Sequence, residues 1–490
     1  MTKDISYQIG RATKWSSITE IAAKLVSPIV NMVLARLLAP EAFGIVATIT
    51  RVISFAEIFT DAGFQKYIIQ HEFKDKDELN KSTNVAFWTN LMFSFLICAI
   101  IFIFRDPIAC LVGSPNLGDS ISIASILILI AAFSSIQMAR YKRSFDFKTL
   151  FYARIGMAVI PLFITVPLAF VLRNYWALLI GNFVAQLYNA IILTAKSEWK
   201  PTFYFNFSLL KEMFAFSAWT LLESISIWLT SYIGVFIVGS YLSEYYLGIY
   251  KTSMATVNSY MAIITGAITP VLFSALSRYQ NDDNAFKKTY FDFQRIVAVL
   301  IFPMGIGIYL FRDLVTHILL GSQWTEAAGF IGIWGLTSAF TIVFSHFSSE
   351  VFRSKGNPKI SLILQLIHLL FIVPTLLISV NYSFEVLYIA RSLVRIQMIL
   401  TAMILMHILY KFKILDAIKN VFPMIFSSLL MGVVGYLLQS VSNNIIWQFV
   451  AVLICAIIYF VTLLGLFPKL RRELLETEYA KKIVKNFNRR

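Results

Sequence analysis

Charge is scarce in this sequence. Asp, Glu, Lys and Arg make up 14% of its 490 residues, 58% are hydrophobic, and the mean hydropathy is +0.72. A soluble globular chain carries about 25% charged residues, and without them a water-facing surface of this size cannot be covered. The deficit excludes a soluble protein. Lipid must solvate the apolar residues, so a polytopic membrane protein is expected. Cysteine is nearly absent as well. Cys98, Cys110 and Cys455 sit among apolar neighbours with no CxxC spacing, which excludes a disulfide framework and a thiolate metal site. The five histidines are too dispersed for an HExxH pattern, and GxSxG is missing. The nearest string to a phosphate-binding loop, residues 113–120, has Asp119 where the lysine would stand. No catalytic constellation is present, so neither an enzyme nor a cofactor is expected. Alternating ten-residue runs are also missing, which sets strand-type spanning aside.

What is present is a series of unbroken apolar runs of about 20 residues, the length a helix needs to cross a bilayer. They predict an all-α bundle of about fourteen spans, near residues 15–38, 43–65, 84–104, 119–139, 154–172, 175–195, 215–242, 245–275, 290–311, 327–351, 359–379, 384–410, 420–439 and 446–467. Met1 to Lys14 is polar and basic, and a full-length span with Lys24 inside it follows, so no cleavable secretion signal is expected. Of the 42 Lys and Arg residues, 32 fall in the N-terminal segment, the alternate connections and the C-terminal tail, while the opposite connections hold only Arg105, Arg173 and Arg312. The positive-inside rule then places both termini in the cytoplasm and requires an even number of spans. The net charge of +15 is mostly topology with some attraction to anionic lipid, and it gives no reason to expect a nucleic acid partner.

An internal repeat is visible at an offset of 204. It sets Trp15 on Trp219 and Phe43-Gly44-Ile45-Val46 on Leu247-Gly248-Ile249-Tyr250, each in a hairpin whose external turn carries an acid, Glu41 or Glu244. The offset covers about six spans, an even number, so the halves would share orientation about an axis along the membrane normal. Two six-helix lobes related by a pseudo-twofold, 1–210 and 211–415, would then be followed by two extra helices and a basic tail, 416–490.

The stretch Arg36-Leu-Leu-Ala-Pro-Glu-Ala-Phe-Gly-Ile-Val-Ala47, followed by Ile53-Ser-Phe-Ala-Glu-Ile-Phe-Thr-Asp-Ala-Gly-Phe-Gln65, resembles the first hairpin of bacterial polysaccharide flippases of the Wzx type. These form part of the multidrug/oligosaccharidyl-lipid/polysaccharide exporter superfamily. Phe352-Arg-Ser-Lys-Gly-Asn-Pro358, before the eleventh span, is similar to a turn these proteins often show. The resemblance implies export across the bacterial inner membrane of an oligosaccharide repeat unit linked through pyrophosphate to undecaprenol, by alternating access, for surface polysaccharide. It also implies a proton or sodium gradient as the driving force, with membrane lipids, a polysaccharide polymerase and chain-length machinery as partners. Two other readings stay open: a cation-coupled drug exporter of the same superfamily, against which the extra pair of spans argues, and a membrane glycan polymerase or ligase, which would need a larger external loop.

Charges inside the spans are costly to insert, about 2.5 to 3.5 kcal/mol at mid-bilayer, and usually face a cavity or a partner. Spans one and two turn near Pro40, so residues whose numbers sum to about 81 share a depth. Lys24 then faces Glu57, and Glu20 faces Asp61. Each pair of neighbours on a helix is spaced i, i+4, giving one polar cluster. It is either an ion-pair network that locks the hairpin or a protonatable coupling site. The repeat partners are uncharged, although Glu223 is adjacent. Arg391 and Arg395 lie one turn apart on span twelve, far from any acid in sequence, and a guanidinium fork suits the phosphate oxygens that the resemblance implies. Arg51 is similar. Arg36 and Arg295 are further candidates for binding the pyrophosphate or sugar, although they, like Lys251, lie nearer span ends, where interhelical pairing or snorkelling also accounts for them. Trp228, Tyr232, Trp334 and Tyr388 are candidates for stacking on sugar rings.

Overall fold

The computed structural model describes residues 26–61, 64–71, 73–144, 146–357, 359–442 and 444–468, without the side chains of residues 61, 66, 70, 215–224, 227, 267, 270 and 274. Every regular element among them is helical. In chain order they are α1 (Val26–Leu37), α2 (Pro40–Asp61), α3 (Phe64–Gln70), α4 (Lys76–Ile103), α5 (Arg105–Leu111), α6 (Gly118–Ala124), α7 (Ile126–Arg143), α8 (Phe147–Phe163), α9 (Thr165–Leu172), α10 (Trp176–Lys196) and α11 (Phe207–Tyr241). Then come α12 (Glu244–Arg278), α13 (Asp283–Leu310), α14 (Arg312–Leu319), α15 (Ala327–Thr341), α16 (Ser348–Ser354), α17 (Lys359–Ser379), α18 (Phe384–Leu393), α19 (Arg395–Tyr410), α20 (Ile414–Gln439) and α21 (Ile445–Leu466).

Twelve described helical segments are long and apolar enough to cross a membrane, and two shorter apolar ones, Val26–Leu37 and Trp228–Tyr241, lie at the first and seventh expected spans. The chain is a multi-pass membrane protein of the all-α class. Hydropathy misplaces some ends. Helices expected from 154, 215, 290 and 420 start at Phe147, Phe207, Asp283 and Ile414. All four starts lie on the Lys/Arg-rich side, where the backbone stays helical beyond the apolar run. Three of them are stopped by caps. Asp146 accepts from the Thr149 N–H at 3.1 Å, Asn206 from Ser208 and Leu209, and Asp282 from Asn284 and Ala285. Arg173 and Lys411, at φ 50° and 58°, end α9 and α19 in the left-handed conformation.

Contacts divide the chain into two units, which differ from the lobes expected by sequence. The first is Met1–Ala267 with Leu319–Ala327 and Gln365–Arg391. In it α2 packs on α4, α7 and α11, and α10 packs on α7, α8 and α9. One apolar core is built from Ile49, Ile53, Ile101, Ile121, Ile128 and their neighbours. The turn at 321–324 closes the end of α1. Trp324 Nε1 donates to the Ala35 carbonyl at 2.7 Å, and Gln323 Nε2 donates to those of Ala35 and Leu38 at 2.6 and 2.7 Å. Carbonyls that a helix end leaves without a partner are satisfied in this way. The second unit is Ile268–Ile318, Ala328–Leu364 and Ser392–Arg490. There α20 packs on α13 and α21, and a π-helical turn, Ile342–His346, joins α15 to α16 beside α13 and α19.

The repeat has a physical counterpart inside the first unit. A Cβ placed on Gly44 would collide with the backbone of Glu244, and one placed on Gly248 would collide with the backbone of Pro40. Pro40 and Glu244 are 204 positions apart, as are Gly44 and Gly248. Each glycine lies one helical turn inside its own helix and rests on the first residue of the other. The 204 offset therefore maps one half of this contact onto the other.

Candidate functional site

Three cations from three helices gather in the first unit: Arg51 on α2, Lys251 on α12 and Arg391 on α18. Arg51 is 1% exposed. Its Nη1 donates to the carbonyls of Val235 at 2.8 Å and Phe236 at 3.2 Å, and its Nη2 donates to that of Val112. Its guanidinium carbon lies 5.5 Å from the Phe236 ring centroid. Two features of the sequence let these elements approach. Gly113, at φ 79°, turns the chain straight after Val112, and a Cβ there would come within 2.7 Å of the Gly239 carbonyl; a Cβ on Gly239 would strike the guanidinium itself. Glu244 attracts Arg51, and Lys251 is close enough to repel it.

Tyr250, 1% exposed, precedes Lys251, and its hydroxyl accepts from Arg391 Nε at 3.2 Å. Gly234 leaves the room that this hydroxyl occupies. Beside Arg51 lies an apolar cavity of about 700 Å³ whose walls include Phe55, Phe59, Ile97, Trp228 and Phe236. Trp228 stacks on Tyr232 with centroids 5.4 Å apart, packs against Phe55 at 4.7 Å, and donates its indole N–H to Ser54 Oγ at 3.0 Å. Buried cations beside apolar and aromatic walls form a surface that accepts anions carried on an apolar or sugar body.

The other expected residues go elsewhere. Arg395 does not share the surroundings of Arg391. Val394, between the two, keeps right-handed helical dihedrals, but in the second unit Arg395 Nη1 donates to Ser338 Oγ at 2.7 Å while its guanidinium carbon sits 4.1 Å from the Trp334 ring centroid. Trp334 is thus covered by a cation, and Tyr388 meets Phe384 edge on at 5.7 Å. Arg295, also in the second unit, donates through Nε and Nη2 to Asn420 Oδ1 at 3.1 and 2.8 Å. Asn420 in turn donates to the Phe291 carbonyl and to Gln294 Oε1, which ties α20 to α13. Arg36 lies at the end of α1 against Gly321. Glu57 is half-buried on α2. Glu20 and Lys24 lie outside the described residues, as do the side chains of Asp61 and Glu223. Away from the spans, burial first and then its hydrogen bond to Glu212 at 3.0 Å raise the Tyr67 phenol above its usual range.

Sequence reasoning missed Lys251 and Tyr250 as members of the site. A signal was available, because Tyr250 stands opposite Val46 just after the shared Gly-Ile of the repeat, and Lys251 follows where Ala47 stands in the other half. Asn420 carried no signal, since one amide in an apolar run is ordinary in membrane helices.

A family profile described as polysaccharide biosynthesis protein matches residues 33–329. The succinoglycan biosynthesis transport protein ExoT of Rhizobium meliloti (strain 1021) is 24% identical over 330 residues, 67% of this chain and 66% of that protein. The chain therefore spans just under two thirds of that relative's length. The teichuronic acid biosynthesis protein TuaB of Bacillus subtilis (strain 168) is 20% identical over 73% of both chains. Among solved structures, the lipid II flippase MurJ in an inward closed conformation superposes with a TM-score of 0.76 at 15% identity, over 93% of this chain and 99% of that one. At that identity the likeness is one of fold.

Proposed function

The chain belongs to the polysaccharide biosynthesis protein family of membrane transporters, and from that premise we propose that it moves an oligosaccharide repeat unit, linked through pyrophosphate to a polyprenyl lipid, across the bacterial inner membrane. The observation that carries this reading is a buried cation, Arg51, on the wall of a cavity shared with Phe55, Trp228 and Phe236, with Lys251 close enough to feel its charge and Arg391 bonded to Tyr250, the residue before Lys251. Phosphate oxygens suit the guanidinium groups, and aromatic faces suit sugar rings or an isoprenoid chain. Movement by alternating access is what the family resemblance implies, and the Lys/Arg distribution supports cytoplasmic termini. In this reading Glu57 and Asp61, with Glu20, Lys24 and Glu223, are candidates for coupling to a proton or sodium gradient. Polymerase and chain-length machinery would receive the exported unit. Arg395 and Arg295, each tied to neighbours in the second unit, serve by holding helices in register.

The test is transbilayer movement of a labelled polyprenyl-pyrophosphate oligosaccharide in proteoliposomes, with and without an ion gradient. Movement well above that in empty liposomes is expected, with dependence on one gradient. Arg391→Gln should slow it about tenfold, since a hydrogen bond to a charged group is worth about 1.5 to 3 kcal/mol, while insertion and thermal stability stay close to wild type. Wild-type rates in that variant would remove Arg391 from the substrate path. Failure to move several such head groups, with protein shown to be folded, would overturn the reading in favour of a small-molecule exporter.

A further inference from the structure

A second cavity, polar and of about 500 Å³, opens where α7 and α10 end on the Lys/Arg-rich side of the first unit. Arg140 and Arg143 from the last turn of α7, Lys196 from the end of α10, and Trp199 just after it all line this cavity; so do the carboxylates of Asp146 and Glu198. None of these residues belongs to the cation group around Arg51.

The donors are held in place by their surroundings. Arg140 Nη1 donates to Asn80 Oδ1 at 2.8 Å and Thr83 Oγ1 at 3.2 Å, and its guanidinium carbon lies 5.7 Å from the Trp199 ring centroid. Arg143 Nη1 holds the carbonyls of Ile68, Ile69 and His71. The two acids are placed differently, and Glu198 attracts Arg140. Asp146 is occupied in capping α8, accepting from Thr149 N at 3.1 Å and Thr149 Oγ1 at 2.6 Å, and Glu198 is exposed to solvent.

Trp199 supplies the decisive detail. It is 6% exposed and packed edge on against Phe87 at 5.7 Å, yet its indole N–H has no hydrogen-bond partner. A buried donor left unmade costs about 1 to 3 kcal/mol, and such groups are rare unless something else supplies the acceptor. An oxygen-rich anion seated deeply enough at the Trp199 wall of the cavity to reach this N–H would accept it while meeting the positive charge of Arg140 and Lys196.

We propose that this cavity is a binding site for a phosphate-bearing anion, with the Trp199 indole N–H, Arg140 and Lys196 as its donors. The phosphate can come from the headgroup of an anionic phospholipid, since the cavity opens where membrane-crossing helices end, or from a soluble phosphate compound. The proposal does not depend on what the protein transports.

Binding of phosphatidylglycerol to the purified full-length protein in detergent would be followed by native mass spectrometry and by the shift in thermal unfolding, with inorganic pyrophosphate as competitor. Two variants are used: Trp199→Phe, which keeps a ring and removes the N–H, and Lys196→Gln, at an exposed position whose ammonium lies over the face of the Tyr152 ring, 4.8 Å from its centroid. Saturable lipid binding is expected, weakened about tenfold by the first change and several-fold by the second, as loss of a charge-assisted donor predicts. Indifference of that binding to millimolar pyrophosphate assigns the site to a lipid headgroup. Displacement by pyrophosphate, with the same sensitivity to both variants, assigns it to a soluble phosphate compound. Absence of anion binding, or binding that neither variant weakens, overturns the proposal.

Discussion

Gly44→Ala is expected to destabilise the protein by about 1 to 3 kcal/mol, the usual cost of forcing extra volume into a packed contact, and Gly248→Ala by a similar amount. In both places the obstacle is backbone: that of Glu244 for Gly44, and that of Pro40 for Gly248. A flexible side-chain tip could swing aside, but here a whole helix end must move. Thermal unfolding in detergent measures the effect, and Gly307→Ala provides the reference, because nothing lies within 4 Å of a Cβ at that position. The reference substitution should be neutral or mildly stabilising, since alanine favours a helix more than glycine does. The double variant Gly44→Ala with Gly248→Ala should cost less than the sum of the two, because one separation of the helix ends relieves both collisions. If Gly44→Ala melts like Gly307→Ala, the close crossing of α2 and α12 is wrong. If the double variant is strictly additive, the two glycines do not share a contact.

Arg51→Met should be the most damaging single change in a membrane-crossing helix, at about 3 kcal/mol. The methionine keeps the apolar stem and removes every donor. Val112 caps α5, so its carbonyl has no further residue of that helix to satisfy it, and it loses the Arg51 hydrogen bond. The links to Val235 and Phe236 on α11 go with it. Polar links between membrane helices average well under 2 kcal/mol each, but three share this residue, and two of them are fully buried. Arg51→Lys tests the geometry. An ammonium keeps the charge but cannot present a rigid fork to two elements at once, so most of the loss should remain. The measurement pairs thermal unfolding with transport in proteoliposomes. Lysine restoring full stability would show that charge alone suffices. A variant as stable as wild type but inactive would move Arg51 from bracing helices to handling cargo.

Much of the architecture was legible because bilayer thickness imposes a length on each apolar run, and the fourteen expected positions all hold apolar helix among the described residues, apart from 15–25 and the middle of the seventh. Helix ends were less legible. Hydropathy marks where lipid begins, whereas Asp146, Asn206 and Asp282 mark where the backbone stops needing helical partners, several residues further out. The site was legible in part. Arg391 and Arg395 share a spacing that suggests one face, but each is held by residues distant in sequence, Tyr250 for one and Ser338 with Trp334 for the other. No local pattern announces partners of that kind. Arg51 stood out as a charge in an apolar run, yet its three carbonyl acceptors are backbone atoms, which carry no sequence signature at all.

The glycine crossing has a consequence for how the chain can change over generations. Two surfaces that meet reciprocally about a pseudo-twofold are what a homodimer possesses, here closed within one polypeptide. A single duplication followed by fusion would produce such an arrangement, and the interface would then be older than the chain that contains it. Positions 44 and 248 are free to diverge as separate codons, but each still constrains the other as if they were one residue of an ancestral subunit. Val46 and Tyr250, one half-turn further along, differ between the two halves, as do Phe43 and Leu247 just before the glycines.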